Sequence, residues 1–170
     1  KNLKDDYTEL FESWSKATGV NLDDAVAKPT FAISKVKTLL KNLENNILSN
    51  ELTTEINLLK GILDNAVIGG SDATRSAAFK VKDMSIKELN DTVLTLRKIE
   101  RKAYSTLSKG GEAADAKLIN EVTTVFENER NRIMKNLSKD KDIDITSQIL
   151  SADDTYTDFM QSVLNKKKST

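Results

Sequence analysis

The sequence predicts an all-α fold, an antiparallel bundle of five to six helices, and three observations carry that expectation. Apolar residues recur at steps of three, four and seven through most of the chain, the period of helices that each bury one face. Helix breakers are scarce, with one Pro and six Gly in 170 residues, and Gly19, Gly69-Gly70 and Gly110-Gly111 fall where periodic segments stop. Ser85-Ile86-Lys87-Glu88 is a capping box that opens a long central helix. Its stripe of Ile86, Leu89, Val93, Leu96, Ala103 and Leu107 is too narrow to be stable alone, so other helices must cover it.

Taken in order, the first helix runs from about Leu3 to Thr18. Leu3, Tyr7, Leu10, Phe11, Trp14 and Ala17 share a face, and Asp5, Asp6, Glu9 and Glu12 sit in the early turns where the helix dipole favours anions. The only Trp lies here and is read as a core anchor. Asn21 caps a short turn through Leu22, Asp23 and Asp24, and Pro29 starts a second helix with Ile33, Val36, Leu40, Leu43 and Ile47 as its buried stripe. Lys35, Lys37, Lys41 and Glu44 keep the other side in water.

Asn45-Asn46 and Ser49-Asn50 mark a turn into a third helix through Leu52, Ile56, Leu59, Leu63 and Val67. Ser71 or Asp72 then caps a shorter helical segment through Ala73, Ala77, Ala78 and Val81, whose small residues allow close packing. After the central helix, Ser108 to Glu112 reverses the chain. A long helix follows to about Leu137, on the stripe Ile119, Val122, Phe126, Ile133 and Leu137, interrupted by Glu129 and Arg130. Lys139-Asp140-Lys141-Asp142 is a solvated loop. Ile143, Ile145, Ile149 and Leu150 lead to a last helix, capped by Ser151 with Asp154, in which Tyr156, Phe159, Met160 and Val163 face inward. No Gly, Ser or Pro linker and no repeat divides residues 1–170, which read as one domain.

Composition removes several chemistries. Without Cys there is no disulfide, thiolate nucleophile or Cys-ligated metal, and without His the commonest general base and transition-metal ligand are missing. No cofactor or metal site is expected. Paired carboxylates at Asp5/Asp6, Asp23/Asp24 and Asp153/Asp154 fall near helix starts, where capping accounts for them without catalysis. Only a Ser–Lys arrangement could activate a nucleophile, so the chain is not expected to be an enzyme. Lys plus Arg equals Asp plus Glu at 26 each, and no aromatic residues interleave the cations, which argues against a nucleic-acid partner.

Surface charge is the better lead. Arg97, Lys98, Arg101 and Lys102 form a basic band on the central helix, with Lys109 just beyond it, and Arg130, Arg132 and Lys135 form a second band. Each band is either a solvated face paired with acids such as Glu100 and Glu129 or an electropositive recognition surface. A contact at the end of the central helix would use Lys98, Arg101, Lys102, Ser105, Lys109 and Glu112, where positive charge gathers beside a Gly-Gly turn on a rigid element.

The Lys/Asn/Ile/Leu-rich helices, as in Lys35-Val-Lys-Thr-Leu-Leu-Lys-Asn-Leu-Glu-Asn-Asn-Ile, the missing Cys and the tail Lys166-Lys167-Lys168 resemble the mature outer-surface lipoproteins of Borrelia spirochaetes. Within that group the chain is most similar to the factor H-binding proteins of relapsing-fever species. The resemblance implies a surface protein on the cell outer membrane, held by an N-terminal lipid on a cysteine that this chain lacks. It would recruit complement factor H, and also plasminogen, whose lysine-binding modules suit a lysine-rich tail. An alternative is a helical scaffold that self-associates through an exposed apolar stripe, or a surface protein with another host ligand.

Overall fold

Among the described residues of the computed structural model the elements run, in order, α1 (Leu3–Thr18), β1 (Ala25–Ala27), α2 (Thr30–Glu44), α3 (Thr53–Ala66), α4 (Gly70–Ala73), β2 (Met84–Ser85), α5 (Ile86–Thr106) and α6 (Ala113–Leu137). The structure describes residues 3–45, 50–107 and 113–138 together with Ile149, Asp153 and Tyr156, and side chains from Thr8 onward. Outside the described residues lie Ile47, Lys109, Gly110-Gly111, Glu112, the loop at 139–142, Ile143, Ile145, Leu150, Ser151, Asp154, Phe159, Met160, Val163 and the lysine tail, as do the side chains of Leu3, Asp5, Asp6 and Tyr7.

The architecture is the expected all-α bundle. α5 packs along α6, α6 against α2, α2 against α3, and α3 returns to α5, so four helices enclose one core. Asn90 on α5 meets Arg130 on α6, Arg97 meets Glu127, and Glu100 meets Asn120. Partner numbers fall on α6 as they rise on α5, which makes the pair antiparallel. α1 adds Phe11 and Trp14 to the core, and the Trp14 side chain is fully buried, as its reading as an anchor required.

Local chemistry sets the ends of these helices. Gly19 closes α1 at φ +76, a left-handed conformation that costs glycine nothing, and its N–H donates to the Ser15 carbonyl at 2.9 Å. Asn21 caps the following turn through its Oδ1, which accepts from the Asp23 N–H at 2.9 Å. At the start of α5 the capping box forms in both directions: Glu88 N–H donates to Ser85 Oγ at 3.1 Å, and Ser85 N–H donates to Glu88 Oε1 at 3.2 Å. A box of this kind stabilises a helix by about 1 kcal/mol.

Four expectations need correction. A small antiparallel sheet was not foreseen: β1 pairs with β2, with Ala25 opposite Ser85 and Ala27 opposite Met84. These strands are too short to show a two-residue period, and they clip the loop after α1 to the start of α5. The stretch from Ala73 to Val81 is not one helix, because α4 ends at Ala73. Ile68 N–H donates to the Lys80 carbonyl and Lys82 N–H to the Ala66 carbonyl, so this backbone pairs with the end of α3. Ala77 and Ala78 are exposed there and pack nothing closely. Leu137 and Ala17, placed on buried stripes, are also exposed. Lastly, Arg97, Glu100, Arg130 and Asp153 are buried in the interior, where the sequence reading had put three of them in solvated bands and Asp153 at a helix start.

Candidate functional site

The position of a charge on its helix decides its fate here. On α5, Arg97 follows Val93 by four residues and Glu100 follows Leu96 by four, so both point with the apolar stripe into the core. On α6, Arg130 follows Phe126 by four and precedes Ile133 by three, with the same result. Ile149, Asp153 and Tyr156, spaced four and three apart, are buried too, and Asp153 and Tyr156 meet that seam.

Together they form a buried ionic network. Arg97 donates from Nη2 to Glu127 Oε1 and to Asp153 Oδ1, both at 2.8 Å. Arg130 donates from Nη2 to Asp153 Oδ2 at 2.7 Å and from Nη1 to Asn90 Oδ1 at 2.8 Å. Asp153 therefore bridges two guanidiniums, and Asn131 donates to its Oδ2 at 3.0 Å. The Arg97 guanidinium lies 4.2 Å from the Tyr156 ring centre, and the Tyr156 hydroxyl donates to Glu100 Oε2 at 3.0 Å. Asn120 donates to the other Glu100 oxygen at 2.8 Å.

Burial pushes the Glu100 and Glu127 carboxyls above their ordinary range, against the pull of Arg97 and of their hydrogen-bond donors. It also pushes the Tyr156 phenol up, helped by the Glu100 charge. Desolvation of so many charges is costly, and the network is tolerated because each ion meets an opposite charge or a hydrogen-bond donor. Chemically it holds α5 and α6 together and ties Asp153 and Tyr156 to both helices' buried face. The side chains occupy one another, which is the arrangement of a structural clamp.

The outer face of α5 is different. Lys98, Arg101, Lys102 and Ser105 are spaced at three, four and seven residues, and all four are exposed on one side of the helix. The two arginines and the acid that flanked them in the sequence run have separated: Arg97 and Glu100 face the core, and Arg101 faces water. Lys98, Arg101 and Lys102 make no ion pair among the described residues, and the Ser105 hydroxyl donates to the Lys102 carbonyl at 2.7 Å. Of the six residues expected at a contact, the structure thus gathers these four, and Lys109 and Glu112 lie outside the described residues. The second basic band is reduced to Lys135, which stays exposed: Arg130 is buried, and the exposed Arg132 is neutralised by Glu129 at 2.6 Å.

Among the described residues no group of three or more acidic side chains is placed to hold a metal ion, and no helix is long and apolar enough to cross a membrane. Large exposed apolar side chains there are Phe31, Leu58, Ile68 and Leu137, no two on one helix. No known protein family, curated protein or solved structure matches the chain.

Proposed function

We propose that the chain is a non-enzymatic binding module, the ectodomain of a bacterial outer-surface lipoprotein that captures complement factor H, with plasminogen as a second ligand. The observation that supports this reading is the outer face of α5. Three cations, Lys98, Arg101 and Lys102, stand together in water while Glu100, the acid within their run, is turned into the core. An unneutralised positive face on a rigid helix recruits an acidic partner surface quickly and in a salt-dependent way. Capture requires no bond to be made or broken, and the recruited regulator would stay active where it is held.

The direct test is a pull-down from human serum on the immobilised chain, with retained proteins identified by mass spectrometry at low and raised salt. Retention of factor H that weakens with salt is the expected result. Retention of a different serum protein replaces the ligand but keeps the capture reading. If no serum protein is retained, host capture is wrong.

A further inference from the structure

We infer that the groove between α3 and α5 takes an extended peptide segment of the captured partner, with Asn57 and Asn65 bonding its backbone and Lys98 and Lys102 meeting an acidic end. The groove encloses about 420 Å³, within the range of about 300–1,000 Å³ usual for ligand clefts. Asn57, Gly61 and Asn65 line its α3 wall at four-residue steps, so they stand in a row along one face. Each is a poorer helix former than the Leu, Ile and Lys around it. Neither backbone nor packing asks for Gly61, because its φ is not positive and a Cβ would meet nothing within 4 Å. Asn57 and Asn65 are exposed, and their carboxamides make no hydrogen bond among the described residues.

A carboxamide offers donors and an acceptor side by side, which match the C=O and N–H of an extended backbone. The two carboxamides are eight residues apart, about 12 Å along the helix, a distance that about four residues of extended chain span. Between them the missing Cβ of Gly61 lets that backbone approach α3. Leu58, 37% exposed, offers an apolar contact to one of its side chains.

Charge sets the direction of the segment. The end of α3 pairs with the chain just before α5, since Ile68 N–H donates to the Lys80 carbonyl and Lys82 N–H to the Ala66 carbonyl. The two helices therefore run antiparallel, and Asn57 lies at the Thr95 end of the groove. Lys98 and Lys102 follow Thr95 by three and seven residues and continue that wall as exposed cations. Glu88, held in its capping box, and Asp91 lie toward the Asn65 end, where they disfavour a further acid. The acidic end of the segment is thus the one at Lys98. The inference rests on the capture reading for these two cations and adds the kind of ligand they take, an extended acidic stretch rather than a folded acidic surface.

Affinity selection on the immobilised full chain tests it, from a synthetic library of capped octapeptides with two aspartates fixed at one end or the other and the remaining positions random. Peptides should be retained, and raised salt should weaken them. Gly61→Leu, which fills the groove and favours the helix, should weaken a selected peptide about tenfold while circular dichroism melts match or exceed the parent. Joint Asn57→Ala and Asn65→Ala, or N-methylation of the peptide backbone, should do the same. No retained peptide overturns the inference, as does binding that ignores Gly61→Leu or N-methylation. A serum pull-down with Gly61→Leu separates this from the capture reading. A host protein held equally by parent and variant leaves capture standing and removes the groove, whereas peptides that need the groove, with no serum protein retained, leave the peptide site standing and remove host capture.

Discussion

α5 presents two faces built from the same residue types. Inward, Arg97 and Glu100 are held among Glu127, Asp153, Asn120 and Tyr156, and their charges fix how helices meet. Outward, Lys98, Arg101 and Lys102 sit in water with no ion pair among the described residues. Arg97 and Arg101, four residues and so only about 40° of helical rotation apart, fall on either side of the boundary between core and water. A run of basic residues on a helix is therefore not a patch until its angular positions are known. Breaking the inner set should unfold the protein, and breaking the outer set should silence it.

The largest effect is expected at Asp153. Asp153→Asn removes the charge shared by two buried guanidiniums and should cost about 3–5 kcal/mol in urea denaturation. A cost below about 1 kcal/mol would mean that the network is not a clamp.

The pH dependence of the inner face comes next. Folding raises the Glu100 and Glu127 carboxyls, so each binds its proton more tightly in the fold than in the unfolded chain. That contribution to stability is present below the unfolded value and is lost as pH rises through the raised folded value. Stability should accordingly decline over that window, and Glu100→Gln should flatten the decline without lowering stability at neutral pH. A Glu100→Gln protein as damaged as Asp153→Asn would show that the Glu100 charge is needed.

Smaller changes belong to the outer side. Gly61→Ala should stabilise the protein by about 1 kcal/mol, because the new methyl meets no atom within 4 Å and the helix gains propensity. Loss of stability would reveal a close contact at that groove. The smallest stability effect is expected from joint Ala substitution of Lys98, Arg101 and Lys102, within about 0.5 kcal/mol. The same variant should lose salt-sensitive capture of factor H from serum, and retained capture would remove α5 from the contact.

Much of this fold was legible because its signals are local. The span of α1, the Gly19 stop, the Asn21 turn and the Ser85–Glu88 box are set by residues within a few positions of one another. The β1–β2 clip was not legible, since five residues cannot display a period and their pairing joins positions sixty apart. Neither was the ionic network, because charges were assigned to solvent by type. A signal was nevertheless present: Arg130 sits four residues after Phe126 and three before Ile133, within the apolar stripe. What no spacing could reveal is that Asp153 arrives from the C-terminal part to meet it. At the outer site, the exposed face of Lys98, Arg101, Lys102 and Ser105 follows from helical spacing. So does the departure of Arg97, four residues after Val93, and of Glu100, four after Leu96, a signal hidden by treating the run of charges as one band.

The two-face account is tested most directly by comparing Arg97→Met with Arg101→Met, two neighbours in one basic run, in urea denaturation at neutral pH. Arg97→Met should lose about 3–5 kcal/mol, because Asp153 and Glu127 lose a buried partner, and Arg101→Met should stay within about 0.5 kcal/mol of the parent. Equal losses, or a tolerated Arg97→Met, would contradict the division of α5 into a buried structural face and a solvated one.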